Sequence, residues 1–261
     1  MAFVLPGFFS IAMGLAYMTL RWKSIHAERE ATKAAAGEDD VKASSSYRAL
    51  LIRVSAIVFL TTAVSSVIFQ ATTFALPKIF DERLQGLATE LSDWTGSIAG
   101  SGQGDVATVI GSLAFIVFVV ASIAQLVVGS MLDRFGPRQV FLTVAVIQII
   151  FFTLMPGLVD GVALLVAFGF MLGAFGQIPI NDYMIGKMAS GAFRARIYGV
   201  RYVVSFTVLA ATLPLIAFVY DNWGFDTLFR ILAVAALVIL VAVAILPKRL
   251  PTPDAASLAA D

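Results

Sequence analysis

The chain contains no cysteine and a single histidine among its 261 residues. Without cysteine there is no disulfide, no thiolate nucleophile and no thiolate metal site, and the redox compartment is left undetermined. His26 stands in a polar stretch beside Glu28 and Arg29, where a solvated imidazole is expected rather than a metal ligand or a base. Charge is scarce as well: 13% of residues are charged, against about 25% in soluble domains. With a net charge of +1, the sequence offers no electrostatic basis for holding nucleic acid. The glycine-rich stretch 96–104 lacks the following Lys-Ser/Thr of a phosphate-binding loop. No nucleophile is paired with a base, so no enzyme, cofactor or metal site is expected.

What the chain has instead is apolar length. Hydrophobic residues make up 59% of the sequence, and they gather in runs at 2–20, 52–76, 107–132, 140–159, 161–180, 202–220 and 231–246. A bilayer core about 30 Å thick needs roughly 20 residues of helix, and lipid offers no partner to free peptide groups, so each run is expected to be a transmembrane helix. The last run is short, and Phe225–Phe229 can lengthen it. Lysine and arginine fall almost wholly on one side: 15 of the 18 lie in the segments after the first, third and fifth runs, at the foot of the second, or in the tail. Only Lys78, Arg83 and Arg230 fall on the other. By the positive-inside rule the basic segments and the C-terminus are cytoplasmic, in a plasma membrane or bacterial inner membrane. Residue 1 then lies outside, yet Met1 opens an apolar run with no basic flank. The expectation is that a segment upstream is missing.

The domain organisation follows: a lone helix at 1–20, a mixed-charge cytoplasmic linker at 21–50, a six-helix bundle at 51–249 and a tail at 250–261. The outer connection 77–106 interrupts the bundle. There Phe80, Leu84, Leu87, Leu91 and Trp94 recur at helical spacing, so an amphipathic helix is expected, lying on the outer interface or packed as a lid on the ends of the bundle. Six helices divide into two triplets that enter from opposite sides, the topology of an inverted repeat.

The loop between the third and fourth runs reads Gly129-Ser-Met-Leu-Asp133-Arg134-Phe-Gly136-Pro-Arg138. Gly129 is suited to close approach of a neighbouring helix. Asp133 can face a helix N-terminus. Gly136 and Pro137 turn the chain, and Arg138 can fork two hydrogen bonds to a carboxylate. The loop resembles the signature cytoplasmic loop of the major facilitator superfamily: Gly, three residues, Asp, a basic residue, any, Gly, any, then two basic residues. Gln139 stands where the second of these is usual. The fifth run and its exit carry Gly169, Gly173, Gly176, Pro179, Asn181, Asp182, Arg194, Arg196 and Gly199, similar to the fourth helix of either half of such carriers. Leu5-Pro-Gly-Phe-Phe-Ser and the helix ending at Arg21 resemble their sixth helix, and the linker their interhalf loop.

The resemblance implies an all-α polytopic fold: a six-helix bundle with a 3+3 inverted repeat, plus one extra N-terminal transmembrane helix. It implies secondary transport of a small solute, with a coupling ion, by the C-terminal half of a carrier that is inactive until it meets its N-terminal half or a second copy. It also implies a cytoplasmic latch of Asp133, Arg138 and Asp182. The helices that line the cavity in this family correspond to 52–76 and 161–180, which makes Gln70, Thr73, Gln177 and Asn181 substrate-binding candidates, as well as Thr72. Gln125, Ser205 and Thr207 are added from neighbouring helices. No carboxylate lies at the membrane midplane, so a coupling proton would sit on Asp182 or on the missing half. Two other readings share the topology. A seven-helix receptor or sensor has the same termini, but a retinal protein needs a lysine within its last helix and 231–246 has none. A non-transporting component that pairs with a separate first half is the other.

Overall fold

In a computed structural model, residues 12–13, 45–99, 105–188 and 194–246 are described. Apart from residues 12–13, the expected helix at 2–20, the linker up to residue 44 and the tail lie outside them. The described residues form six helices and no strand: α1 (Ser45–Arg83), α2 (Gln85–Ala99), α3 (Val106–Phe135), α4 (Pro137–Leu154), α5 (Asp160–Met188) and α6 (Arg194–Ala244). All but α2 are long and apolar enough to cross a membrane.

Helix ends follow local chemistry. The Asp105 carboxylate caps α3, accepting from the Ala107 amide at 3.1 Å and the Thr108 hydroxyl at 2.7 Å. These bonds hold its pKa below the usual carboxylate value, the Thr108 bond being the larger cause. Gly136 ends α3 at φ +80°, its amide donating to the Leu132 carbonyl at 3.0 Å, and Pro137 opens α4, where a missing N–H costs nothing. One glycine thus separates two spans. At 51 residues, α6 would reach about 75 Å if straight, more than twice the hydrocarbon thickness. It breaks at Gly224, at φ 74° and ψ 179°, and its second arm runs back from the end that holds Arg83 to the end that holds Arg138. The runs 202–220 and 231–246 are these two arms, and residues 225–229 belong to the second.

Arg83, Gly157 and Asp226 meet at one end through the Asp226 carboxylate, which accepts at 2.6 Å from Arg83 and at 3.1 Å from the Gly157 amide. Arg138 and Ala244 meet at the other, basic end. α3 packs on α5 and α6 packs on α1, two contacts that an exchange of α1 with α5 and of α3 with the first arm of α6 would interchange. Phe118 of α3 meets Phe175 of α5, as Ser66 of α1 meets Ser205 of the first arm. Phe152 of α4 packs on Phe170 of α5 and on Phe229 of the second arm. Phe141, Phe152, Phe170 and Phe229 are fully buried, whereas Phe115, Leu126, Leu165, Val203 and Val234 are exposed. In lipid that exposure is ordinary, because van der Waals fit and interhelical hydrogen bonds hold such bundles together.

The outer connection departs from its expected register. Phe80 belongs to α1, which runs through Pro77 to Arg83. The face that α2 turns inward is Ala88, Ser92 and Gly96, continuing from Leu84; Leu87 and Leu91 are half-buried at its flank and Trp94 is exposed. Small residues let α2 sit close on α1, α3 and α5, in the lid arrangement. Asp160, at φ +52°, receives the Leu87 amide at 2.8 Å and so caps α2 from the start of α5. Gly86 makes room: a Cβ there would stand 2.8 Å from the Asp160 carboxylate.

Candidate functional site

α1 carries Thr62, Ser65, Ser66, Phe69 and Gln70 on one face, at spacings of three, one, three and one. This face meets Ala174, Gln177, Ile178 and Asn181 of α5 and Arg201, Tyr202, Ser205 and Phe206 of α6 around a cavity of about 240 Å³. The α1 residues stand midway along their helix, so the cavity reaches mid-depth of the bundle.

Its mostly apolar walls carry polar side chains that a bilayer interior would not favour. Gln177, 1% exposed, donates from Nε2 to Gln148 Oε1 of α4. Its own Oε1, the Gln148 Nε2 and the Ser65 hydroxyl have no partner. Leaving such groups unmade costs about 1–3 kcal/mol each; Ser65 and Gln177 line the cavity, whereas Gln148 stands behind it. The Thr62 hydroxyl reaches Asn181 Oδ1 at 3.5 Å. At the basic end Arg201 forms an ion pair with Asp182, the two side chains being 14% and 47% exposed. The Tyr198 hydroxyl donates to the Asp182 carbonyl at 3.4 Å.

Of the residues singled out as substrate-binding, Gln70, Gln177, Asn181 and Ser205 line the cavity. Thr73 does not, although its hydroxyl is buried without a partner. Thr72 bonds back to the Ile68 carbonyl at 2.8 Å, an intrahelical role. Gln125 is half-buried away from the cavity and Thr207 is exposed. Arg201 is the main omission. It stands at the margin of a basic stretch, where topology alone accounted for it. The polar spacing on α1 was the readable signal for Thr62, Ser65 and Ser66.

The loop residues take different roles from those expected of a latch. Arg138 donates from Nη2 to the Ala244 carbonyl at 2.8 Å, capping the end of the second arm of α6, where a cation suits the helix dipole. Asp182 is held by Arg201 instead, so the structure does not bring Arg138 and Asp182 together. Asp133 is exposed and has no ion pair among the described residues. The Arg134 guanidinium lies 5.4 Å from the Phe135 ring centre. A Cβ on Gly129 would meet nothing within 4 Å, so among the described residues no neighbouring helix uses that glycine. Close approach occurs on α5: a Cβ on Gly169 would fall on the Phe151 ring, and one on Gly173 would stand 2.6 Å from Gln148 Cγ. The side chains of Arg194 and Arg196 lie outside the described residues.

The family described as Major Facilitator Superfamily matches residues 104–261, well over half of the chain. No curated protein matches it.

Proposed function

This chain belongs to the major facilitator superfamily of membrane transporters, and we propose that it moves a small solute by alternating access, with its polar cavity as one wall of the pathway. The observation that carries this reading is a mid-depth cavity with two unpaired buried polar atoms, Ser65 Oγ and Gln177 Oε1, inside an otherwise apolar bundle. A solute hydroxyl or amide would supply the donor that Gln177 Oε1 lacks. Gln70 and Asn181 line the same cavity. The facing wall comes from a first half or a second copy, and access alternates as one bundle rocks against the other. The basic end is cytoplasmic. Gly129, Asp133, Arg134, Gly136 and Arg138, with Asp182, form the gate region there, and Arg201–Asp182 links α5 to α6 beneath the cavity. Among the described carboxylates, Asp182 is the one that pairs with a cavity-lining residue, Arg201.

The absence of cysteine allows a clean test. Ser205→Cys places one thiol on the cavity wall. In native membranes an impermeant thiol reagent should reach it from either side, because alternating access exposes the wall to each. Labelling from one side only would instead fit a static receptor or sensor and would end the transport reading.

A further inference from the structure

A second and larger cavity, of about 650 Å³, lies between the basic-end half of α1 and the second arm of α6. Ala56, Ile57 and Leu60 form one wall and Val234, Val238 and Val241 the other. Every group named there is hydrocarbon. At the basic end of the groove stands Arg53, exposed and without an ion pair among the described residues.

The groove is not part of the solute path. Ile57 and Ser66 are nine residues apart, about two and a half turns, and therefore occupy opposite sides of α1. The Ser66 side faces the polar cavity, so the groove opens away from it, toward lipid. Leu60, Val234, Val238 and Val241 are all exposed, as side chains against acyl chains are.

We propose that this groove holds an acyl chain of an anionic phospholipid whose phosphate is bound by Arg53. Charge complementarity selects this occupant. Arg53 sits where the apolar surface of α1 ends, at the level of the headgroups, and a guanidinium forks hydrogen bonds to phosphate oxygens. A second protein helix would have to bring a carboxylate to that level, whereas a leaflet supplies phosphates there by default. Basic pockets between transmembrane helices on the cytoplasmic side are suited to such headgroups. The site is independent of the transport reading and requires only that the helices span a bilayer.

The full chain, reconstituted in nanodiscs of equimolar phosphatidylglycerol and phosphatidylcholine, tests this by native mass spectrometry of the released protein. The singly lipidated species should favour phosphatidylglycerol roughly fivefold, the factor that one basic residue gives near an anionic surface. Arg53→Gln should bring the ratio to unity, and Arg53→Lys should retain most of the preference. Ile57→Trp, which fills the groove, should lower retention of both lipids, while Leu126→Trp on the open face of α3 should not. Equal retention of the two lipids by the unaltered chain would overturn the proposal. So would a preference that survives Arg53→Gln, or ready disulfide dimers of Ile57→Cys, which would seat a second copy in the groove.

Discussion

Arg201 is mostly buried and Asp182 is half-exposed, so the two ends of their ion pair respond unequally to loss of the partner. Asp182→Asn leaves a guanidinium in a confined site with one fewer acceptor, at a cost of about 1–3 kcal/mol. Arg201→Gln leaves a carboxylate that can turn to water, and it should cost less. Thermal unfolding in detergent should rank the two in that order. Charge reversal separates this pair from the one that the loop motif suggests. Asp182→Arg with Arg201→Asp should recover what either change loses, whereas Asp182→Arg with Arg138→Asp should not, because Arg138 serves the Ala244 carbonyl. Rescue by the second combination alone would restore the latch of Arg138 and Asp182. Asp105 yields a pH prediction. Its folded pKa is lowered, so the cap on α3 is intact above the ordinary carboxylate pKa of about 3.9 and is lost as pH falls through the lowered folded value. Hydrogen exchange at the first turn of α3 should speed up in that acid window, and Asp105→Asn should remove the dependence. A single sequence shows that Asp182 is a costly charge. It does not show which arginine answers it, because Arg138 and Arg201 become alternatives only once α5 and α6 are side by side.

At the scale of elements, glycine means opposite things on α3 and α5. Gly129→Ala meets open space and should gain the helix preference of alanine, up to about 1 kcal/mol. The same change at Gly169 or Gly173 drives a methyl into Phe151 or Gln148, and overpacking of about 1–3 kcal/mol outweighs that gain. Melting temperatures should therefore rise or hold for Gly129→Ala and fall for the other two; a fall at Gly129 would show a helix contact that this arrangement lacks. The lid helix α2 depends on a partner far away in sequence. Asp160→Ala removes the acceptor for the Leu87 amide and should cost about 0.5–2 kcal/mol, the range for a lost N-cap. Faster hydrogen exchange should be confined to α2, and Gly86→Leu should reproduce it by denying Asp160 its place. The hydrophobic stripe foretold a helix at 77–106 but not its face. Small residues at 88, 92 and 96 win the inward position because the bundle rim leaves room for close approach and not for Trp94.

At the scale of the molecule, hydropathy located the spans because lipid allows little else than closed helices. It read two arms as separate runs, and their join at Gly224 is continuous helix on both sides of one left-handed residue. The placement of charge on those spans makes the strongest statement about the whole chain. Arg53, Arg134, Arg138, Lys187 and Arg201 gather at one end, and Lys78, Arg83 and Arg230 at the other, where Arg83 and Lys78 are neutralised by Asp226 and Asp81. Lysine and arginine are thus the more numerous at the first end, and we propose that this end is retained in the cytoplasm during insertion. Two single cysteines in this cysteine-free chain report on it directly. Trp223→Cys sits at the hairpin of α6, where the tryptophan is 58% exposed, and Arg134→Cys sits in the α3–α4 turn. An impermeant thiol reagent applied to intact cells should label position 223 and spare position 134 until the membrane is opened. Labelling at 134 in sealed cells would invert the molecule. The Asp182–Arg201 pair would then face outward.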